Sequence, residues 1–374
     1  MDQTIEQLFR DRSVLVTGHT GFKGSWLCLW LVAMGAKVTG FSDRIPTAPG
    51  AFNLMALGGE LTDKRGDIVD AEKVLSVITA ARPSVIFHLA AQPIVRQGFK
   101  QPYETFAANV LGTVSVLEAA RKVPSVRAVV VVTSDKVYHN NGGVRRFRET
   151  DALGGHEPYG ASKAAAEIVT MAYRSEAFHQ GAQSPNRPAI AAARAGNVIG
   201  GGDWAADRLI PDLVRAIADG RDQEIRQPSA IRPWQHVLEP IGGYLCLAGA
   251  LIDDPASSPA AVNFGPNEME PPDVAQIATL FLDAMPSHRT RLLIREKTAG
   301  EATTLRVDSG LALRQLSWRP GWNTREAIAR TADWYRAWLE RGTDMRRFSL
   351  EQLESYRRST PVPALRASAP MGQH

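Results

Sequence analysis

Strand-length apolar runs alternate with helical patterns through the first half of the chain, and this alternation constrains the fold most. "SVLVTG" (13–18), "AKVTGF" (36–41), "SVIFHLAA" (84–91), the run 126–133 and "AIAAARAGNV" (189–198) have the length and apolar content of buried strands. Between them, "GSWLCLWLVAMG" (24–35), "DAEKVLSVITAA" (70–81), "PYETFAANVLGTVSVLEAARK" (102–122) and "PYGASKAAAEIVTMAYRSEAF" (158–178) read as helices. Strands separated by helices pair in parallel through right-handed crossovers. The pattern therefore predicts an α/β fold, a doubly wound parallel sheet of Rossmann type.

After about residue 196 the pattern becomes irregular and is punctuated by Pro and Gly, as in "QPSAIRP" (227–233) and "DDPASSPAA" (253–261). A helix over 236–252 and a strand over 261–265 suggest that the chain returns to the main sheet. The expected division is a main domain of residues 1–195 with 236–265 returning to it. A smaller, discontinuous substrate domain takes 196–235 and 266–350, and 351–374 reads as a flexible tail.

The net charge of +4 is dispersed, and even its densest basic stretch, "VRRFRE" (144–149), is short. Nucleic-acid binding calls for a concentrated basic patch, so no such partner is expected. Cys28 and Cys246 make neither a disulfide framework nor a metal site, and a reducing compartment is expected. The opening residues lack the pattern of a secretory signal, and no apolar run approaches the ~18 residues needed to span a bilayer. A soluble, cytoplasmic protein without metal or membrane partner follows as the expectation.

"TGHTGFKG" (17–24) joins the first strand to the first helix, with Gly18, Gly21 and Gly24 three residues apart. Glycines there permit a tight turn and close backbone approach to a pyrophosphate, and the helix N-terminus offers free N–H groups to its charge. Thr20, Phe22 and Lys23 complete the loop. Asp43 follows the second strand, where an acid bonds ribose hydroxyls and opposes an extra phosphate; the cofactor is therefore read as NAD. Arg44 beside it would pull the other way. Asp67 and Ile68 fall where adenine rests, Ala90, Ala91 and Gln92 end the next strand, and Asn109 is placed in the same set.

Tyr159 and Lys163 in "PYGASK" (158–163) stand at i and i+4, on one face of a helix. Phenol is a poor base near neutrality, but an ammonium one turn away, with a cationic nicotinamide, would favour the phenolate. "TSDKVY" (133–138) places Ser134, Asp135 and Lys136 at the carboxyl end of a core strand, where this architecture binds ligands.

With "HLAAQP" (88–93), these motifs resemble the extended short-chain dehydrogenase/reductase family. Longer stretches are similar to its CDP-glucose 4,6-dehydratase group: "VTGHTGFKGSWL" (16–27), "AAQPIVR" (90–96), "RAGNVIGGGDWA" (194–205) and "IRPWQHVLEP" (231–240). The resemblance implies conversion of CDP-glucose to CDP-4-keto-6-deoxyglucose with NAD, in deoxysugar synthesis, by a homodimer. It implies Tyr159 as base toward the sugar 4-hydroxyl, Lys163 as its tuner and Ser134 as the partner of the 4-oxygen. Asp135 is then the acid for departing water and Lys136 the base at C5. Asn197, Arg208, Arg232 and His236 are candidate substrate contacts. Gly160, Ala161 and Val137 depart from residues common in the family, without removing a group used here. A 4-epimerase would need no acid–base pair at 135–136, a dehydratase for another nucleotide sugar would differ in its base pocket, and a regulator would not need the Tyr–Lys pair.

Overall fold

The computed structural model describes residues 4–143, 145–184, 186–285, 288–295 and 304–360. The main strands are β1 (Ser13–Thr17), β2 (Lys37–Ser42), β3 (Thr62–Arg65), β4 (Val85–His88), β5 (Ala128–Val132) and β6 (Ala189–Ala195). Two short pairs stand apart: β7 (Val198–Ile199) with β9 (Gln235–His236), and β8 (Gln223–Ile225) with β11 (Leu292–Ile294). The last main strand, β10 (Ala261–Phe264), pairs with β6. The seven-stranded sheet runs β10-β6-β5-β4-β1-β2-β3, every pair parallel. Strand order reverses between β1 and β4, opening a crevice at their carboxyl ends.

Both faces of the sheet are covered, which is why its strands read as continuous apolar runs. Successive side chains alternate between two cores. Val14, Val16, Val85, Phe87, Val130 and Val132 join the larger one, with the Phe22–Ala33 and Leu238–Asp253 helices. Leu15, Ile86, Val129 and Val131 join the other, with the Ala71–Ala81 and Gly112–Lys122 helices.

Three local features differ from the sequence reading. The edge strand β3, "TDKR", is charged and partly exposed, so it carries no apolar signal. The stretch 102–122 is not one uniform helix: a π-helical turn, Ala107–Leu111, interrupts it. Residues 351–359, expected in a mobile tail, belong to the Met345–Ser359 helix, capped by Asp344 and anchored by buried Leu353 and Tyr356. Its sparse apolar residues explain the misreading; the tail expectation for 361–374 lies outside the described residues.

Candidate active site

A cleft of about 1280 Å³ lies along the carboxyl ends of the strands and is lined by residues from both halves of the chain. A pocket for one small ligand is ~300–1,000 Å³. This one has room for a dinucleotide and a second ligand together. At its first wall, Gly18 takes φ +72, and a Cβ there would lie 2.6 Å from the Ala90 nitrogen. A Cβ at Gly24 would lie 2.1 Å from the Gly18 carbonyl oxygen. The loop is thus pressed against both its helix and the end of β4. Gly21 caps the Phe22–Ala33 helix without a side-chain bond, leaving first-turn N–H groups for an anion.

Hydrogen bonds hold this wall. Thr20 donates to the Arg44 carbonyl at 2.6 Å, fixing the loop to the segment after β2. Thr17 accepts from the Ala90 N–H at 3.2 Å and bonds His88 Nδ1 at 2.7 Å. Burial pushes His88 down to about 3, so it serves as a neutral spacer between Thr17 and Thr113. Thr20, Phe22, Lys23, Asp43, Asp67, Ile68, Ala90, Ala91 and Gln92 line the cleft. Asp43 lies at its exposed lip, paired with Arg44. Asn109 does not line it. Its side chain accepts the Gln92 N–H at 2.8 Å and donates to the Gln92 carbonyl at 3.1 Å and to Ser162 at 2.8 Å, so it shapes the cleft from behind.

The reacting groups converge where β5 ends. Ser134 caps a short turn, Asp135–Val137, its hydroxyl accepting the Lys136 N–H at 3.2 Å and donating to Asp135 Oδ1 at 3.0 Å. Lys136 Nζ lies 3.7 Å from the same Oδ1. Asp135 Oδ2 is buried and has no hydrogen-bond partner among the described residues, although the carboxylate borders the cleft. Gly196 makes room for it, since a Cβ there would come within 2.6 Å of Oδ2. This glycine was not singled out in the sequence; its place in "RAGNVIGGGDWA" was the available signal.

Glu157 caps the facing helix, Pro158–Arg174, accepting the Tyr159 and Gly160 N–H groups at 2.7 Å each. Tyr159 and Lys163 lie one turn apart on this helix. Burial and the Asp135 carboxylate push Tyr159 up to about 12, outweighing the nearby Ser134 hydroxyl and the Arg208 cation. The Lys163 ammonium is drawn to the Val132 carbonyl at 3.0 Å, and burial lowers it to about 8. Lys23 reaches the same region from the glycine loop, and burial with nearby Arg208 and Lys163 brings it down to about 7.

On the far wall, Asn197, Arg208 and Arg232 line the cleft. Asn197 Oδ1 is buried without a partner among the described residues. Arg208 is braced by Asp203 at 2.9 Å, a residue the sequence reading passed over. His236 is not brought to the cleft. It lies fully buried between Trp26 and Trp322, and burial lowers it to about 3. The apolar surroundings come from elements distant in sequence, which is why a motif histidine looked available. Trp204 and Trp234 border the cleft. Among the described residues, no group of three or more His, Cys, Asp or Glu could hold a metal ion, and no helix is long and apolar enough to cross a membrane.

A glycine cradle at the β1–β4 switch point and a Ser/Tyr/Lys cluster at the end of β5 define a nucleotide-binding enzyme of the short-chain dehydrogenase/reductase class. Residues 15–247 match the family model described as GDP-mannose 4,6 dehydratase. CDP-glucose 4,6-dehydratase of Salmonella typhimurium is 41% identical over 355 residues, which cover 95% of this chain and 99% of that protein. The dTDP-glucose 4,6-dehydratase of Xanthomonas campestris pv. campestris is 26% identical over 342 residues, 86% of this chain and 92% of the relative. The solved structure of MoeE5 with UDP-glucuronic acid and NAD superposes with a TM-score of 0.72 at 27% identity, covering 87% of this chain and 99% of that one. The chain belongs to the nucleotide-sugar 4,6-dehydratase family.

Proposed function

We propose that this chain is a CDP-glucose 4,6-dehydratase that works with NAD. The observation that carries the reading is the Ser134–Asp135–Lys136 turn facing Tyr159, with one buried Asp135 oxygen unpartnered among the described residues. Plain oxidation or epimerisation needs Tyr159 and Lys163 but has no use for a further acid and base. The glycine cradle and Asp43 fit a dinucleotide without a 2′-phosphate. The similarity to the Salmonella enzyme over nearly its whole length supports CDP-glucose as the sugar nucleotide.

Bound NAD⁺ supplies a hydride acceptor at C4 and, once reduced, a donor at C6, and its cationic ring favours the Tyr159 phenolate. Tyr159 takes the proton of the sugar 4-hydroxyl while Ser134 holds the 4-oxygen. The resulting ketone acidifies C5–H, and Lys136 removes that proton. Asp135 protonates the C6 hydroxyl, which leaves as water as the C5–C6 double bond forms. Tyr159 and Ser134 hold the 4-oxygen throughout, the Lys136 proton returns to C5 as C6 is reduced, and transfer of the Tyr159 proton to Asp135 by way of solvent restores both groups. Arg208 and Arg232 face the diphosphate, guanidinium being well matched to it.

In this reading residues 1–195 with 236–265 carry the dinucleotide, and 196–235 with 266–350 carry the sugar nucleotide. Exposed Phe99, Tyr103, Phe106, Leu111, Ile168 and Met171, along 95–111 and the Pro158–Arg174 helix, support a homodimer through that face. Both cysteines are free and buried, in keeping with the cytoplasm. Incubating purified protein and NAD⁺ with CDP-, dTDP-, UDP- and GDP-linked sugars tests the assignment. A 4-keto-6-deoxy product with CDP-glucose is expected. A 4-epimer, or product only with another nucleotide, overturns it.

A further inference from the structure

Behind the cleft, a buried ion pair joins the Pro158–Arg174 helix to β6 and bonds residues on either side of the Ser134–Lys136 turn, and none of the steps above uses it. Glu167 follows Lys163 by four residues and Tyr159 by eight, so all three share one stripe of the Pro158–Arg174 helix. Its carboxylate accepts Arg194 Nε at 2.9 Å on each oxygen and the Thr133 hydroxyl at 2.5 Å. From β6, Arg194 also donates to the Tyr138 hydroxyl at 2.8 Å, and its guanidinium lies 4.9 Å from the centre of that ring. Tyr138 in turn donates to Asn263 Oδ1 at 2.6 Å. Thr133 and Tyr138 flank Ser134, Asp135 and Lys136 on either side in the chain.

The Arg194 and Glu167 side chains are 3% and 2% exposed. Burying such a pair is a weak source of stability, since apolar residues of similar volume often do as well. Its directional bonds do what apolar packing cannot: they fix both ends of the 133–138 stretch relative to the helix of Tyr159. Glu167 also places a negative charge one turn from Lys163. Other titratable groups near that ammonium among the described residues include Lys23 from the Phe22–Ala33 helix and His88 from β4, and Tyr159 precedes it by one turn on its own helix. Against burial, Glu167 is the charge that favours the protonated form.

We propose that Glu167, oriented by Arg194, is a positioning residue for the dehydration: it aligns Ser134, Asp135 and Lys136 with Tyr159 and keeps Lys163 charged. The proposal rests on the function read above. Its test compares wild type, Glu167→Gln and the double variant Glu167→Gln/Arg194→Met. Lys163 is labelled competitively with acetic anhydride across pH and read by mass spectrometry, and kcat and KM for CDP-glucose are measured over the same range. In the variants, Lys163 labelling and the alkaline limb of kcat move to lower pH, and kcat falls by roughly tenfold or more with KM little changed. Should Glu167→Gln strand the Arg194 charge and fail to fold, the double variant is read in its place. A folded variant whose labelling and kcat profiles superimpose on wild type overturns the proposal, and so does failure of both variants to fold, which would make the pair purely structural. Labelling needs no turnover. Wild type inactive on every nucleotide sugar would therefore overturn the functional reading and leave the Lys163 result standing.

Discussion

The Ser134 hydroxyl donates to Asp135 Oδ1 at 3.0 Å, while Asp135 Oδ2 is buried without a partner among the described residues. Ser134 thus orients the acid from one side, while the other oxygen is buried against Gly196 in a residue that lines the cleft. The backbone at Gly196 is what leaves space for it.

Gly196→Ala therefore strikes the acid without touching its chemistry. The added methyl would meet Asp135 Oδ2 at 2.6 Å and Pro233 Cγ at 2.3 Å. Overpacking of this kind costs ~1–3 kcal/mol of stability. A kcat loss of about tenfold or more is expected, because Asp135 must move away from the departing hydroxyl. Thermal melts and steady-state kinetics check both, and unchanged kcat in a folded variant contradicts the role of Asp135.

Lys136→Ala separates oxidation from elimination. Hydride transfer from C4 is expected to persist while exchange of the C5 proton with deuterated solvent is lost, and turnover falls by roughly 10²–10⁴. Mass spectrometry of recovered substrate reads the exchange. Normal turnover would remove Lys136 from the mechanism.

Tyr159→Phe removes the base toward the 4-hydroxyl. A loss of about 10²–10⁴ in kcat is expected, with substrate still bound as judged by calorimetry. In the wild type, burial pushes this phenol up to about 12 and a base must be deprotonated, so activity should rise with pH on the acid side of the profile. Fall-off above the Lys163 value of about 8 would follow as that ammonium loses its charge.

Glu239 predicts a pH dependence of stability that is separate from catalysis. Burial raises this carboxyl to about 7, and it accepts the Gly321 and Trp322 N–H groups at 2.9 and 2.7 Å and the Tyr356 hydroxyl at 2.8 Å. The folded state binds its proton more tightly than the unfolded chain does. Its contribution is therefore complete below the ordinary carboxyl value and is lost as pH rises to about 7, by roughly 3 kcal/mol at most. Melting temperatures across that window should decline less in Glu239→Gln than in wild type; identical slopes would contradict the raised value.

The sequence by itself determined the class of fold, because apolar runs of strand length separated by helical periods admit little besides a parallel, doubly wound sheet. It also determined the glycine loop and the Tyr159–Lys163 spacing, since local backbone geometry makes both. Charged β3 was illegible: an edge strand forms from pairing with β2, and no apolar alternation announces it. The packed helix Met345–Ser359 was missed for a related reason, its few anchoring residues finding their partners far away, as Tyr356 does at Glu239.

Distance in the chain also divides the site. Tertiary structure alone buried His236 between two tryptophans and turned Asn109 toward Gln92. It set Gly196 against Asp135 and Glu167 against Arg194. These are contacts between elements, and burial there decides which polar groups meet ligand, which support others and which are simply core. Sequence supplies the chemical groups in order; only the folded chain determines the surroundings that set their charge and direction.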